Sequence, residues 1–285
     1  MSLVIGEISY TNILPFFYYI NREKLVNKGC QFIPSVPSQL NNGMAKGTIH
    51  VGGISSFAYG EHSKDYVIFP NFSVSSHKEV GSIFLFSKVP ITQLDKKSIA
   101  LTSSSATSVN LLKILLNRYY DLDVKYEVMD PDFSTMLTHH DACLLIGDDA
   151  IRTSWQKNNN IHQYDLGALW EHFTGYPMTY AVFAIRKDAW DYQPLLLEEL
   201  YNQFQHSKQK TVANEFSEMI TSIQSVLGGK KAFWQHYFSG LNYDLTRRHI
   251  EGLELYFQLA YEMELLKKPV QEISLWQPMK HCYSV

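Results

Sequence analysis

The stretch SIALTSSSATSVNLLKILL, residues 98–116, sets an apolar run against a helical pattern and places six hydroxyl side chains in the seven positions from Thr102 to Ser108. Ser98 to Leu101 reads as a buried strand, while Val109, Leu112, Leu115 and Leu116 share one helical face. The hydroxyls therefore mark a strand-to-helix junction. Ser or Thr there accepts hydrogen bonds from the first free amides of a helix. Those amides and the positive end of the helix dipole also attract an anion. Capping occupies one or two hydroxyls, so the others are either polar filler in a capping loop or adjustable donors for an anion, and this stretch alone fits both.

The strand-then-helix unit recurs on both sides. Upstream, LVIGEI reads as a strand, residues 12–20 as a short helix, CQFIPSV as a strand, residues 37–45 as a helix and IHVGGIS as another strand. Pro37 suits the first turn of its helix, where a missing N–H costs nothing. YVIFPNFSVSS and GSIFLFSK are two further apolar stretches. After a turn around 90–97 the alternation restarts with strand 98–102, helix 107–119, strand 124–129, helix 131–138 and strand 142–146. A long strand, MTYAVFAIRK, leads into an almost wholly helical last third, where Ile250, Leu253, Phe257 and Ala260 form an apolar stripe. Two blocks of alternation predict two α/β lobes rather than one sheet. With GSIFLFSK and MTYAVFAIRK as the crossings, residues 1–87 and 185–285 make one lobe and residues 88–184 the other. Ligands would then bind between the lobes, beyond the carboxyl ends of the strands.

At 285 residues and 45% hydrophobic content the chain can fill such cores. A net charge of −3 without a Lys/Arg cluster argues against a nucleic-acid surface. Cys30, Cys143 and Cys282 are far apart and odd in number, which suggests neither a disulfide framework nor a zinc site, and a reducing compartment. No apolar run approaches the roughly 18 residues of a membrane span. The N-terminus moves directly into a strand without a basic leader. A cytoplasmic protein without membrane contact is expected.

Each candidate site residue follows a strand. Asn12, in ISYTNILPFF, either caps a helix or faces the cleft. GGISSFAYG offers the hydroxyls of Ser55 and Ser56, with Ser56 the chosen candidate, beside glycines that allow close backbone approach, and turn chemistry explains the stretch equally well. EVGSIFLFSK places Ser82 at the start of a crossing strand, within reach of either lobe. Ser105, Thr107 and Ser108 come from the hydroxyl-rich loop. LLIGDDA supplies Gly147 and Asp148, with capping as the plainer role for the paired acids. Glu7 is a second-choice base. In HHDAC, adjacent histidines point to opposite faces, so a solvent-facing turn is expected rather than a metal site. Neither a phosphate loop nor a G-x-S-x-G nucleophile elbow occurs, and no metal or nucleotide cofactor is indicated.

Taken in order, GEISYTNILPFF, VPSQLNNGMAKGTIHVGGISS, VGSIFLFSKVPI, SIALTSSSATSVNLLKILL, DACLLIGDDAI and YDLGALWEHFTGYPMTYAVFAIRK resemble successive blocks of the chorismate dehydratases of the futalosine route to menaquinone. The similarity runs from the first strand to about Lys187, and the helical tail matches in character only. The sister dihydroxynaphthoate synthases share the fold but typically open with a SPCPNDTF-like segment, where this chain has ISYTNILPFF. The resemblance implies a two-lobed fold like the type II periplasmic binding proteins and the conversion of chorismate to 3-[(1-carboxyvinyl)oxy]benzoate. Chorismate carries two carboxylates, so the resemblance gives the hydroxyls at Ser105 to Ser108 one anion to hold, with Ser56 or Ser82 helping at the other and Asn12 the foremost candidate for the chemical step. The rival class is a small-anion receptor on the same fold.

Overall fold

In a computed structural model describing residues 2–156 and 158–278, the apolar runs pair into two sheets. The first block runs β1 (Leu3–Ile8), a 3-10 turn (Thr11–Ile13), α1 (Leu14–Phe17), α2 (Arg22–Asn27), β2 (Cys30–Ser35), α3 (Pro37–Lys46), β3 (Val51–Ser55), α4 (Ser56–Glu61) and β4 (Tyr66–Ser76). The second runs β5 (Ile83–Ser87), β6 (Ser98–Thr102), α5 (Ala106–Ile114) with a π-helical turn (Leu115–Tyr119), β7 (Lys125–Met129), α6 (Phe133–His139), β8 (Ala142–Ile146), α7 (Gly147–Ser154), β9 (His162–Asp165) and α8 (Leu166–Thr174). The chain returns through β10 (Met178–Arg186) into α9 (Lys187–Tyr192), α10 (Pro194–Ala213), α11 (Ser217–Leu227), α12 (Lys231–Gly240), β11 (Leu241–Asn242) and α13 (Arg247–Glu262).

The strand order is β11-β4-β10-β3-β1-β2 in one sheet and β7-β6-β8-β5-β9 in the other. β1 lies parallel to β2 and β3, and β6 lies parallel to β7 and β8. β10 and β5 run antiparallel to their neighbours. The fold is thus the expected two-lobed α/β arrangement with a helical C-terminal segment.

The crossings differ from the sequence reading by one element each. β5, assigned to the first lobe by a boundary at residue 87, pairs with β8 and β9 in the second sheet. β10, assigned mostly to the second lobe by a boundary at 184, pairs with β3 and β4 in the first. Both strands are buried along nearly their whole length, so apolarity did not reveal which sheet would claim them. The sheets change over in the short polar segments 77–82 and 175–177 instead.

The tail fastens the first lobe and reaches the second. Ser207 Oγ on α10 donates to Pro15 O at 2.8 Å, and Phe204 meets Phe17 edge-on at 5.0 Å. α13 packs on β10, and its Tyr256 hydroxyl donates to Thr107 O on α5 at 3.1 Å. His140 departs from the solvent-facing expectation. It is buried, with Nδ1 3.1 Å from Met136 O and Nε2 3.1 Å from Glu127, while His139 alone is exposed. Cys30 and Cys143 are buried free thiols, with burial raising their pKa to about 11 and about 12. Cys282 lies outside the described residues.

Candidate active site

Where the parallel strands end, the chain turns into helices whose first residues face one small cavity of about 50 Å³. Ile8 ends β1, Tyr10 and Asn12 follow it, Pro37 opens α3, and Ser55 ends β3. The second lobe contributes Ser82, Ser105, Ser108, Ile146 and Gly147, and Tyr180 and Ala181 come from β10. Several helix N-termini therefore converge on a space lined by hydroxyls, an amide and apolar side chains. No Lys, Arg, His, Asp or Glu is among its lining residues. The arrangement suits an anion held by neutral donors and helix dipoles, and it offers no ionisable base.

The hydroxyl-rich loop divides its side chains among several tasks. Thr102 Oγ1 and Ser104 Oγ bond each other at 2.7 Å, and Ser103 Oγ donates to Asp130 at 3.2 Å. Ser105 is the N-cap of α5, with extended backbone and its Oγ accepting from Ser108 N at 3.1 Å. Thr107 turns away from the cavity, its Oγ1 accepting from Phe57 N on α4 at 2.9 Å. Ser108 lines the cavity, and its hydroxyl has no hydrogen-bond partner among the described residues.

Asn12 sits inside the 3-10 turn, not at a helix cap. The N-caps there are Tyr10 and Ile13, and the Asn12 side chain makes no hydrogen bond among the described residues. Gly147 adopts φ of +58°, and a Cβ on it would come within 3.1 Å of the Tyr10 ring, so glycine lets that ring lie between the lobes. Gly147 N donates to Ser82 O at 2.7 Å. The segment before Ser82 is pinned by Asp165, which caps α8 and also accepts from Val80 N at 3.0 Å and Gly81 N at 2.7 Å.

Three expected site residues are held elsewhere. Ser56 is fully buried and donates to Thr179 O at 2.7 Å. Its neighbour Ser55 is the residue at the cavity, capping α4 by accepting from Ala58 N at 3.2 Å. Cap geometry was the signal that would have chosen between the two serines, since the last extended residue before a helix projects its side chain over the helix end. Thr107 joins the lobes, as described. Asp148 accepts from Thr11 Oγ1 across the lobes at 2.7 Å, and burial raises its pKa. Neither Asp148 nor Asp149 caps α7, whose N-cap is Ile146 without a side-chain bond. The sequence also gave no sign of Tyr10 and Tyr180. Tyr180 shares a 3.0 Å hydrogen bond with Ser76 Oγ, and burial raises its pKa.

A neighbouring pocket of about 480 Å³ shares Ile8 and Tyr10 with the cavity. It is lined by Leu14, Met219, Ile223, Val226 and two carboxylates, Glu7 and Asp148. Glu7 is ion-paired with Arg22 at 2.7 Å and so stands outside the smaller cavity. Acidic groups in a mainly apolar wall suit an anionic ligand poorly. The smaller cavity is therefore the better candidate despite its size. Among the described residues there is no group of His, Cys, Asp and Glu able to hold a metal ion, and no helix long and apolar enough to cross a membrane.

A model of a family described as menaquinone biosynthesis matches residues 3–262. A chorismate dehydratase of Thermus thermophilus is 27% identical over 267 residues, covering 89% of this chain and 93% of that one. Among solved structures, a protein of Archaeoglobus fulgidus superposes with a TM-score of 0.72 at 17% identity, covering 93% of this chain and 98% of the other. The periplasmic aliphatic sulphonate binding protein of Escherichia coli gives 0.69 at 14% identity, covering 98% and 92%. The alkanesulfonate-binding protein of Xanthomonas axonopodis, bound to MOPS, gives 0.70 at 13% identity, covering 96% and 98%. At these identities the structures speak for the binding-protein fold.

Proposed function

The chain belongs to the menaquinone biosynthesis family, and from that premise we propose that it is a cytoplasmic lyase of the futalosine route, dehydrating chorismate to 3-[(1-carboxyvinyl)oxy]benzoate. The observation that carries this reading is the cavity itself. Its donors are neutral hydroxyls, an amide and helix N-termini, suited to carboxylates, and no Lys, Arg, His, Asp or Glu lines it.

The absence of a lining base fits a substrate that supplies its own. The hydrogen to be lost lies on a ring carbon conjugated through a double bond to the ring carboxylate, so charge spreads toward that carboxylate as the proton leaves. The enolpyruvyl carboxylate takes the proton. The ring C–O bond then breaks, its electron pair leaving with the hydroxyl, which becomes water on receiving a proton, and the ring is aromatic. The protein orients the two carboxylates and stabilises the developing charge, with Ser105, Ser108 and Ser82 as donors and Asn12 nearest the reacting atoms.

A cavity of about 50 Å³ is small for such a substrate, since pockets for small ligands run from roughly 300 Å³ upward. The lobes therefore open to admit chorismate. The test is turnover. Purified protein mixed with chorismate should abolish the diene absorbance and yield the benzoate ether by mass spectrometry. Saturable binding of chorismate without consumption would instead identify a small-anion receptor, the role that the sulphonate-binding neighbours' names describe.

A further inference from the structure

Tyr237, on α12 in the helical tail, lies against the crossing segment that carries Ser82. Gly81 has φ of +69°, and a Cβ on it would come within 3.2 Å of the Tyr237 ring. The ring also lies parallel to Phe233 at 6.2 Å. Tyr237 is buried, and its hydroxyl has no hydrogen-bond partner among the described residues, yet the hydroxyls of Ser82 and Thr11 flank it. A buried, unpaired hydroxyl is unfavourable and calls for a reason.

The proton inventory supplies one. Thr11 Oγ1 gives its only proton to Asp148 at 2.7 Å, so toward Tyr237 it offers only lone pairs. Ser82 has its carbonyl engaged by Gly147 N at 2.7 Å, while its side chain lines the cavity. Once an anionic group in the cavity accepts the Ser82 proton, Ser82 Oγ becomes an acceptor beside the phenol. A chain from phenol to serine to anion then forms, in which each donor polarises the next. Burial keeps the phenol protonated and hence a donor.

We propose that Tyr237 is a positioning residue. In the substrate complex its hydroxyl donates to Ser82 Oγ and so commits the Ser82 O–H to the substrate's anionic group. This rests on the proposed function, in which the substrate is a dianion bound in this cavity.

The test compares wild type, Tyr237→Phe, Ser82→Ala and the double variant, by chorismate kinetics and thermal melting. Tyr237→Phe keeps the ring packing and removes an unpaired hydroxyl, so its Tm should equal or exceed that of wild type. Its kcat/KM should fall about 2- to 10-fold, mainly through KM, as expected for a lost hydrogen bond between neutral hydroxyls. In the Ser82→Ala background the same change should have no further effect. A lower Tm with kcat/KM intact, a loss in kcat alone from a reduced active fraction, or effects that add in the double variant would each overturn the proposal. Wild-type protein that neither binds nor consumes chorismate would remove the functional reading beneath it, whereas an active wild type with an equally active Tyr237→Phe removes only the role of Tyr237.

Discussion

Thr107 Oγ1 accepts a 2.9 Å hydrogen bond from the Phe57 amide, joining the first turn of α5 in one lobe to the first turn of α4 in the other. Thr11 and Asp148 make the corresponding side-chain bond elsewhere along the cleft at 2.7 Å, and Arg118 pairs with Glu262 between α13 and the turn after α5. All three bonds join one lobe to the other. If the lobes open to admit substrate, as the proposed function requires, these bonds break, and residues at the lobe contacts should affect closure more than chemistry.

Thr107→Val is the direct test. It preserves shape but leaves the Phe57 amide unpaired where both residues are buried, at a cost to the closed form of about 1–3 kcal/mol. The expected result is a lower Tm and a larger radius of gyration by X-ray scattering, with Thr107→Ser close to wild type. A valine variant with unchanged Tm and dimensions but weaker chorismate binding would return Thr107 to the substrate.

Ser105 and Ser108 separate stability from binding. Ser105→Ala removes the cap of α5, which typically costs about 1 kcal/mol, and so lowers Tm. Ser108→Ala removes a cavity hydroxyl without a protein partner, so Tm should hold while chorismate affinity falls about 10- to 100-fold. Unchanged affinity in Ser108→Ala would reduce the loop to capping and lobe contact.

Burial raises the pKa of Asp148, with the Thr11 bonds and Arg152 opposing and Asp149 adding to the shift. The folded state therefore binds this proton more tightly than the unfolded state. The resulting stability is complete below the ordinary carboxylate pKa and is lost as pH rises through the raised value. Asp148→Asn keeps an acceptor for Thr11 but cannot ionise. Its Tm relative to wild type should climb as pH rises from about 4, the ordinary carboxylate value, and a difference that stays flat or declines contradicts the assignment.

Exhaustive treatment with a chelator should leave chorismate turnover unchanged, because no ligand-spaced cluster of His, Cys, Asp and Glu occurs among the described residues. Lost activity restored by one divalent ion would reverse this.

The sequence made the two α/β blocks legible because strand runs such as Ile99 to Leu101 and Ala142 to Ile146 are buried and contiguous in the structure too. It was less informative where neighbours of one chemical type divide the work. Ser55 and Ser56 differ only in which of them has the capping backbone angles, and Thr107 differs from Ser108 by one step around a helix. β9, unassigned in the sequence reading, is a short strand of His, Gln, Tyr and Asp with no buried position, so periodicity offered nothing to detect. Tyr10 and Tyr237 make contacts that exist only where distant segments meet at Gly147 and Gly81, which no local pattern records.

Asn12 remains the residue expected to matter most to the chemical step, and the structure makes its substitution unusually clean. The caps in that region are Tyr10 and Ile13, so replacing Asn12 removes no cap and should leave Tm unchanged. Its amide can donate and accept at once, which suits a group placed between the departing hydroxyl and the carboxylate acting as base. Asn12→Ala should lower kcat by roughly 10²–10³, the usual cost of one oriented donor that works in the transition state, with a smaller change in chorismate affinity. Asn12→Asp keeps the shape but removes the donor and sets a negative charge beside a dianion. It should fold normally and be at least as inactive as the alanine variant. Near-normal turnover by the aspartate variant would mean that no donation from this position is needed, and the chemical step would then depend on Ser82, Ser105 and Ser108.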